Sequence, residues 1–158
     1  MSFTSVAAGA DYVVLTMSVT VALSFVIAVH NGEQFLRSKL ESVLGLDYPS
    51  ELMEVLVVSD GSTDRTDEIA QSFAGRGVRF LRVEKGGKAA ALNAAIPMVR
   101  GEILALTDVR QHLAPDSLRH LVACFADPAV GTVSADLKIR EGGTREELEQ
   151  EMYRRYDM

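Results

Sequence analysis

The sequence predicts an α/β fold, a mostly parallel sheet with helices on both faces, and three observations carry that prediction. Short β-branched runs alternate with stretches whose apolar residues recur at helical spacing. Three of those runs end at a turn bearing polar side chains: Ile27-Ala28-Val29-His30-Asn31, Val57-Val58-Ser59-Asp60-Gly61-Ser62-Thr63-Asp64 and Leu104-Ala105-Leu106-Thr107-Asp108. Apolar residues make up 47% of the chain and charged residues 24%, which is enough apolar material for the core of one domain.

The elements follow in order. Leu23–Val29 is an apolar run bounded by polar residues and reads as a buried strand. Phe35, Leu36, Leu40, Val43 and Leu44 share one helical face, and Asp47-Tyr48-Pro49 breaks that helix. Met53–Ser59 is the second strand. Ser62 or Thr63 is expected to cap a helix whose Ile69, Ala70 and Phe73 face the core, and Gly75 and Gly77 close it. Val78–Val83 is the third strand, and the Ala-rich Lys88–Val99 is a helix with Pro97 near its end. Glu102–Thr107 is the fourth strand. Pro115 suits the first turn of a helix striped by Leu118, Leu121, Val122 and Phe125, stopped by Asp127-Pro128. Val130–Ala135 is expected to be a fifth strand.

The ends differ in character. Residues 1–22 are expected to be a lead-in, flexible from Met1 to Asp11. The uncharged stretch Tyr12–Val29 is short for a membrane span and rich in Ser and Thr, so its last part reads as a strand. Residues 23–140 form the predicted domain. In residues 141–158, Glu141-Gly142-Gly143 reads as a turn and Thr144–Asp157 as a charged helix. That helix has little to pack against, and is expected to begin an acceptor half lying beyond this chain.

Composition narrows the function. A net charge of -6 argues against a nucleic-acid partner. Cys124 is the only cysteine, so no intrachain disulfide is possible, and it is expected in the core. Three familiar phosphate motifs fail. A Walker loop ending at Gly87-Lys88 would need a glycine at Arg82 and a hydroxyl at Ala89. Gly75-Arg76-Gly77 lacks the third glycine of a dinucleotide fingerprint and precedes a strand. A sugar nucleotidyltransferase would place a glycine-rich loop where Ala28-Val29-His30-Asn31 stands. No His/Cys cluster suggests zinc.

What remains is an ordered set: Val26 to Asn31, Asp47-Tyr48-Pro49, Val57 to Asp64, Gly86-Gly87-Lys88-Ala89-Ala90-Ala91-Leu92-Asn93, Gly101-Glu102-Ile103, Thr107-Asp108 and Ala114-Pro115-Asp116. From about Leu23 to Leu137 this set closely resembles the donor-binding half of family 2 glycosyltransferases, which have the Rossmann-like GT-A fold. The resemblance implies a nucleotide-sugar donor, a UDP-sugar by family habit. It implies sugar transfer, with inversion, to a hydroxyl of a glycan or lipid-linked acceptor. It implies Mg²⁺ or Mn²⁺ at the diphosphate, and work at the cytoplasmic face of the cell membrane through segments beyond this chain.

Carried over position by position, the resemblance assigns Asp60 to the base imide N–H, and Ala28, His30 and Asn31 to the base and ribose. It places Lys88 near the nucleotide and Asp108 at the diphosphate and metal. Each has a plainer reading: Asp60 could make an Asx turn, Lys88 could be a solvated helix-opening residue, and Asp64 is left to capping.

Two departures matter. The family's Asp-x-Asp is Asp108-Val109-Arg110 here, a change of two charge units at a diphosphate site. Arg110 is therefore expected either to pair with phosphate oxygens, weakening metal dependence, or to form a salt bridge. No acid matches the family's general base, and there is no Trp for its Gln-x-x-Arg-Trp motif. The catalytic base is thus unassigned, and a nucleotide-sugar-binding module without turnover is the main alternative.

Overall fold

Four short strands, each bounded by polar turns, pair in parallel because each is followed by a helix that carries the chain back across the sheet. The computed structural model describes residues 2–5, 15–18 and 21–135. Its elements are β1 (Ser2–Ser5), β2 (Leu15–Ser18), β3 (Leu23–Val29), α1 (Glu33–Leu44), β4 (Met53–Asp60), α2 (Thr66–Ser72), β5 (Val78–Val83), α3 (Lys88–Ala95), β6 (Ile103–Leu106) and α4 (Ser117–Cys124). β3 to β6 form one sheet in the order β5-β4-β3-β6, with every pair parallel.

The period-2 alternation of the strands sorts their side chains into two layers. Leu23, Phe25, Ile27 and Val29 of β3, with Val55 and Val57 of β4, face α1, α2 and α4 through Leu36, Leu40, Val43, Ala70, Phe73, Leu118 and Val122. Val26, Leu56 and Val58 face the other way, onto Ala91 and Ala95 of α3. The central strands are buried on both faces, which is why they read as continuous apolar runs rather than alternating ones. Burying each such Leu, Ile or Val contributes roughly 1.5–3 kcal/mol.

Several expectations are corrected. Val130–Ala135 is not a strand. A strand needs a ladder partner, and among the described residues nothing pairs with the outer edge of β6, where Leu106 is 54% exposed. The expected lead-in contains an antiparallel pair, β1 with β2, in the register Ser2↔Ser18 to Ser5↔Leu15. Phe3 alternates with hydroxyl residues there, and so do Leu15 and Met17, a period that suits extended backbone. The predicted Lys88–Val99 helix ends its α-helical part at Ala95 and continues as a 3₁₀ turn over Ile96–Met98, since Pro97 lacks the N–H that an α-helix needs. β6 is shorter than Glu102–Thr107. Cys124 is exposed rather than in the core. The predicted turn and helix in residues 141–158 lie outside the described residues. Among the described residues, no helix is long and apolar enough to cross a membrane.

Candidate functional site at the carboxyl ends of the strands

The strand order creates the site. From β3 the chain goes by way of α1 to β4, then β5, and returns through α3 on the opposite face to β6 at the other side of β3. β3 is therefore a topological switch point, and a crevice opens outside its carboxyl end. An open cleft of about 320 Å³ lies there, lined by Ala28, Val29, His30, Asp60, Lys88, Asp108, Val109 and Arg110. That is large enough for part of a small-molecule ligand. Six of the seven site residues expected from sequence line it, and Asn31 does not.

Asp60 ends β4 and is buried. Its Oδ1 accepts the N–H of Gly86 at 2.7 Å, and its Oδ2 accepts that of Gly87 at 2.9 Å. A carboxylate has about four lone-pair sites, so acceptor capacity remains on both oxygens. The plainer Asx-turn reading is not what is seen: the carboxylate is fixed in orientation by the glycine turn that opens α3. Gly61 makes this approach possible. Its φ is +60°, and a Cβ there would lie 2.9 Å from the Lys85 backbone nitrogen.

His30 Nδ1 lies 2.7 Å from the Asp60 carbonyl oxygen. A carbonyl only accepts, so Nδ1 carries the hydrogen and Nε2 is left for the cleft. Asn31, at φ 49°, instead braces the two loops. Its N–H donates to Ser62 Oγ at 3.1 Å, and its Oδ1 accepts the N–H of Thr63 at 2.8 Å. Glu33 and Asp64 complete a reciprocal brace: Glu33 N–H donates to Asp64 Oδ2 at 3.1 Å, and Arg65 N–H to Glu33 Oε2 at 3.0 Å. Asp64 Oδ1 also accepts the N–H of Thr66, the first residue of α2. Asp64, left to capping by the sequence, thus satisfies the first N–H of α2, while the N-cap position falls on Arg65 rather than on Ser62 or Thr63.

The other wall comes from the turn after β6. Asp108 Oδ1 accepts the N–H of Arg110 at 3.1 Å, and Oδ2 lies 3.4 Å from Lys88 Nζ. Burial pushes the Asp108 carboxyl up, but the Arg110 N–H and the nearby Lys88 and Arg110 charges outweigh it and hold the group below its ordinary value. The anion that Lys88 answers, at the start of α3, is this carboxylate. The Arg110 guanidinium lies over the Phe35 ring, 5.1 Å from its centroid, and forms no salt bridge among the described residues.

Lys39 was missed from sequence. It projects from α1, is fully buried, and donates from Nζ to Thr107 Oγ1 at 2.7 Å and to the Gln111 carbonyl at 2.6 Å. A signal was present: a lysine sits inside the stripe Leu36, Leu40, Val43, at a position that must face the core. Among the described residues no group of three His, Cys, Asp or Glu side chains could hold a metal ion. A metal here could take Asp108 as one ligand and would need other oxygens for the rest.

The fold and the crevice at its switch point define an α/β protein with an open cleft at the carboxyl ends of its strands, the place where sheets of this kind take ligands. The chain belongs to glycosyl transferase family 2, whose model matches residues 24–157. It is 33% identical over 116 residues to a beta-monoglucosyldiacylglycerol synthase of Nostoc sp., covering 70% of this chain and 25% of that protein. It is 31% identical over 121 residues to a poly-beta-1,6-N-acetyl-D-glucosamine synthase of Staphylococcus epidermidis, covering 75% and 29%. Among solved structures it resembles a mannosyltransferase from Pyrobaculum calidifontis in complex with GDP-Man and Mn²⁺, with TM-score 0.72 and 31% identity over 77% of this chain and 37% of that one. S. aureus TarS with UDP-GlcNAc shares the fold at TM-score 0.62 and 23% identity, over 73% of this chain and 37% of that one. The chain spans about a quarter of the length of the glucosyldiacylglycerol synthase.

Proposed function

We propose that the cleft at the carboxyl ends of β3, β4 and β6 is the donor site of an inverting hexosyltransferase, binding a nucleotide-diphosphate sugar for transfer to a glycan or lipid-linked hydroxyl. The observation that carries this reading is the convergence of Ala28, His30, Asp60, Lys88, Asp108 and Arg110 on one cleft, in a chain of this family. In it, Ala28 and His30 line the base and ribose. Asp60, already oriented by Gly86 and Gly87, uses a remaining lone pair for the base imide N–H. Lys88 and Arg110 meet the diphosphate, Arg110 through a planar fork that Phe35 keeps at the cleft.

Asp108 would hold Mg²⁺ or Mn²⁺ together with donor phosphate oxygens, and the ion would stabilise the leaving nucleoside diphosphate. The Mn²⁺ in the mannosyltransferase complex supports a divalent ion in this reading. GDP-Man in that complex supports guanosine as a candidate base beside the expected uridine. The names of the diacylglycerol and poly-N-acetylglucosamine synthases support lipid and glycan acceptors respectively. No general base is assigned among the described residues. Binding without turnover therefore stands as the second reading, carried by that missing base.

Calorimetric titration with UDP and with GDP, with and without Mn²⁺, tests the donor site on wild type and Asp60→Ala. One diphosphate is expected to bind wild type and to lose at least tenfold in affinity on Asp60→Ala, since both the imide contact and the glycine turn depend on that carboxylate. Absence of binding by either nucleotide removes the reading. Hydrolysis of the bound donor sugar then separates an enzyme from a binding module.

A further inference from the structure

Lys39 is a buried cation whose direct partners are a neutral hydroxyl, on Thr107, and a neutral carbonyl, on Gln111. Taking an ammonium out of water costs several kcal/mol unless something compensates it, and a methionine of similar length would pack there without that cost. The expense falls beside the cleft. Thr107 and Gln111 flank Asp108, and Gln111 Oε1 accepts the Asp108 N–H at 3.2 Å. Lys39 and Phe35 are one helical turn apart on α1, so the same face of one helix fixes both ends of this turn. Phe35 holds the Arg110 guanidinium, and Lys39 holds the backbone that carries Asp108.

The charges at this end are unbalanced. Around the Asp108 carboxylate stand Lys88, Arg110 and Lys39, three cations to one anion, while the other carboxylate of the cleft, Asp60, is held at the end of β4 by the N–H groups of Gly86 and Gly87. An excess of that kind attracts an anionic ligand and opposes a second cation.

We propose that Lys39 is a charge-setting positioning residue: from the α1 side it biases the Asp108 end of the cleft toward an anionic diphosphate and against a divalent metal ion. This rests on the donor-site reading above and extends it to a residue that lies outside the cleft lining. Burial lowers the Lys39 pKa to about 8, with Asp108 raising it in part, so the ammonium form prevails at neutral pH. The bias is therefore present under ordinary conditions.

The test uses the whole chain as wild type, Lys39→Met, Lys39→Gln and Lys39→Arg. Five titrations are run on each: UDP and GDP without metal, the two matching nucleosides without metal, and Mn²⁺ alone. In Lys39→Met and Lys39→Gln, diphosphate binding should weaken roughly fivefold, the effect of one partly screened charge, while nucleoside binding is unchanged. Mn²⁺ binding should strengthen by a similar factor. Lys39→Arg should restore wild-type values for both. Opposite signs for diphosphate and metal are what a merely structural role cannot produce, since a distorted turn weakens both. Lys39→Gln keeps N–H donors for Thr107 and Gln111, so the result is read on it if Lys39→Met does not fold. Diphosphate and Mn²⁺ affinities that fall together, or that do not change in a folded variant, overturn the proposal and leave the donor site standing. Failure of both nucleotides to bind wild type removes the donor-site reading, and this proposal with it.

Discussion

Asn31 has work in the fold that its place in the resemblance does not show. Its side chain braces the β4–α2 loop, and it does so from a left-handed backbone conformation. Asn tolerates that conformation better than other residues with a Cβ. Asn31→Ala should therefore destabilise the fold by about 1–2 kcal/mol, through loss of the Thr63 hydrogen bond and the strain of φ 49°. Asn31→Gly should recover the strain part only. Urea midpoints of the three proteins check both, and equal midpoints would show that the brace contributes nothing. Asp60, by contrast, was legible because it follows a β-branched run directly and stands before a glycine. Its bonds to Gly86 and Gly87 were not, because they join positions distant in sequence that meet only once β4 and α3 pack.

At the scale of elements, the strands and helices that pack in the core were readable because burial imposes periodicity. Val130–Ala135 was not, because β-branched composition says that a run can extend but not whether a partner edge is present. The amino ends of the strands hold a second network that sequence did not reveal. Glu54 of β4 accepts from Ser24 Oγ of β3 at 2.5 Å, from Arg79 of β5 at 2.9 Å, and from the Arg100 N–H that precedes β6. Burial raises the Glu54 carboxyl, but these donors outweigh it and hold its pKa below the ordinary 4.5. A carboxyl lowered in the folded state contributes stability that is present above about 4.5 and is lost as pH falls through its folded value. Wild type should thus be more stable than Glu54→Gln at neutral pH, and the gap should narrow at about pH 3. Chemical denaturation at both values checks the sign. A gap that is independent of pH would mean that the carboxylate charge is not what ties these strand ends together.

In the whole molecule the two ends of the sheet differ: an open cleft at the carboxyl ends of the strands, structural pairing at the amino ends. The resemblance and the strand-end turns were enough to place the cleft, since a switch point follows from strand order and strand order from family. What sequence could not supply was the electrostatic balance there, which depends on a lysine brought up from α1 beneath a turn 68 positions away. The most direct test is a map of backbone amide chemical shifts on adding whichever of UDP or GDP binds. The largest shifts should fall at His30, Gly86, Gly87, Val109 and Arg110, with Glu54, Arg79 and Arg100 unmoved. Shifts concentrated at that amino-end network or along the open edge of β6, with the cleft amides silent, would contradict the placement of the donor site.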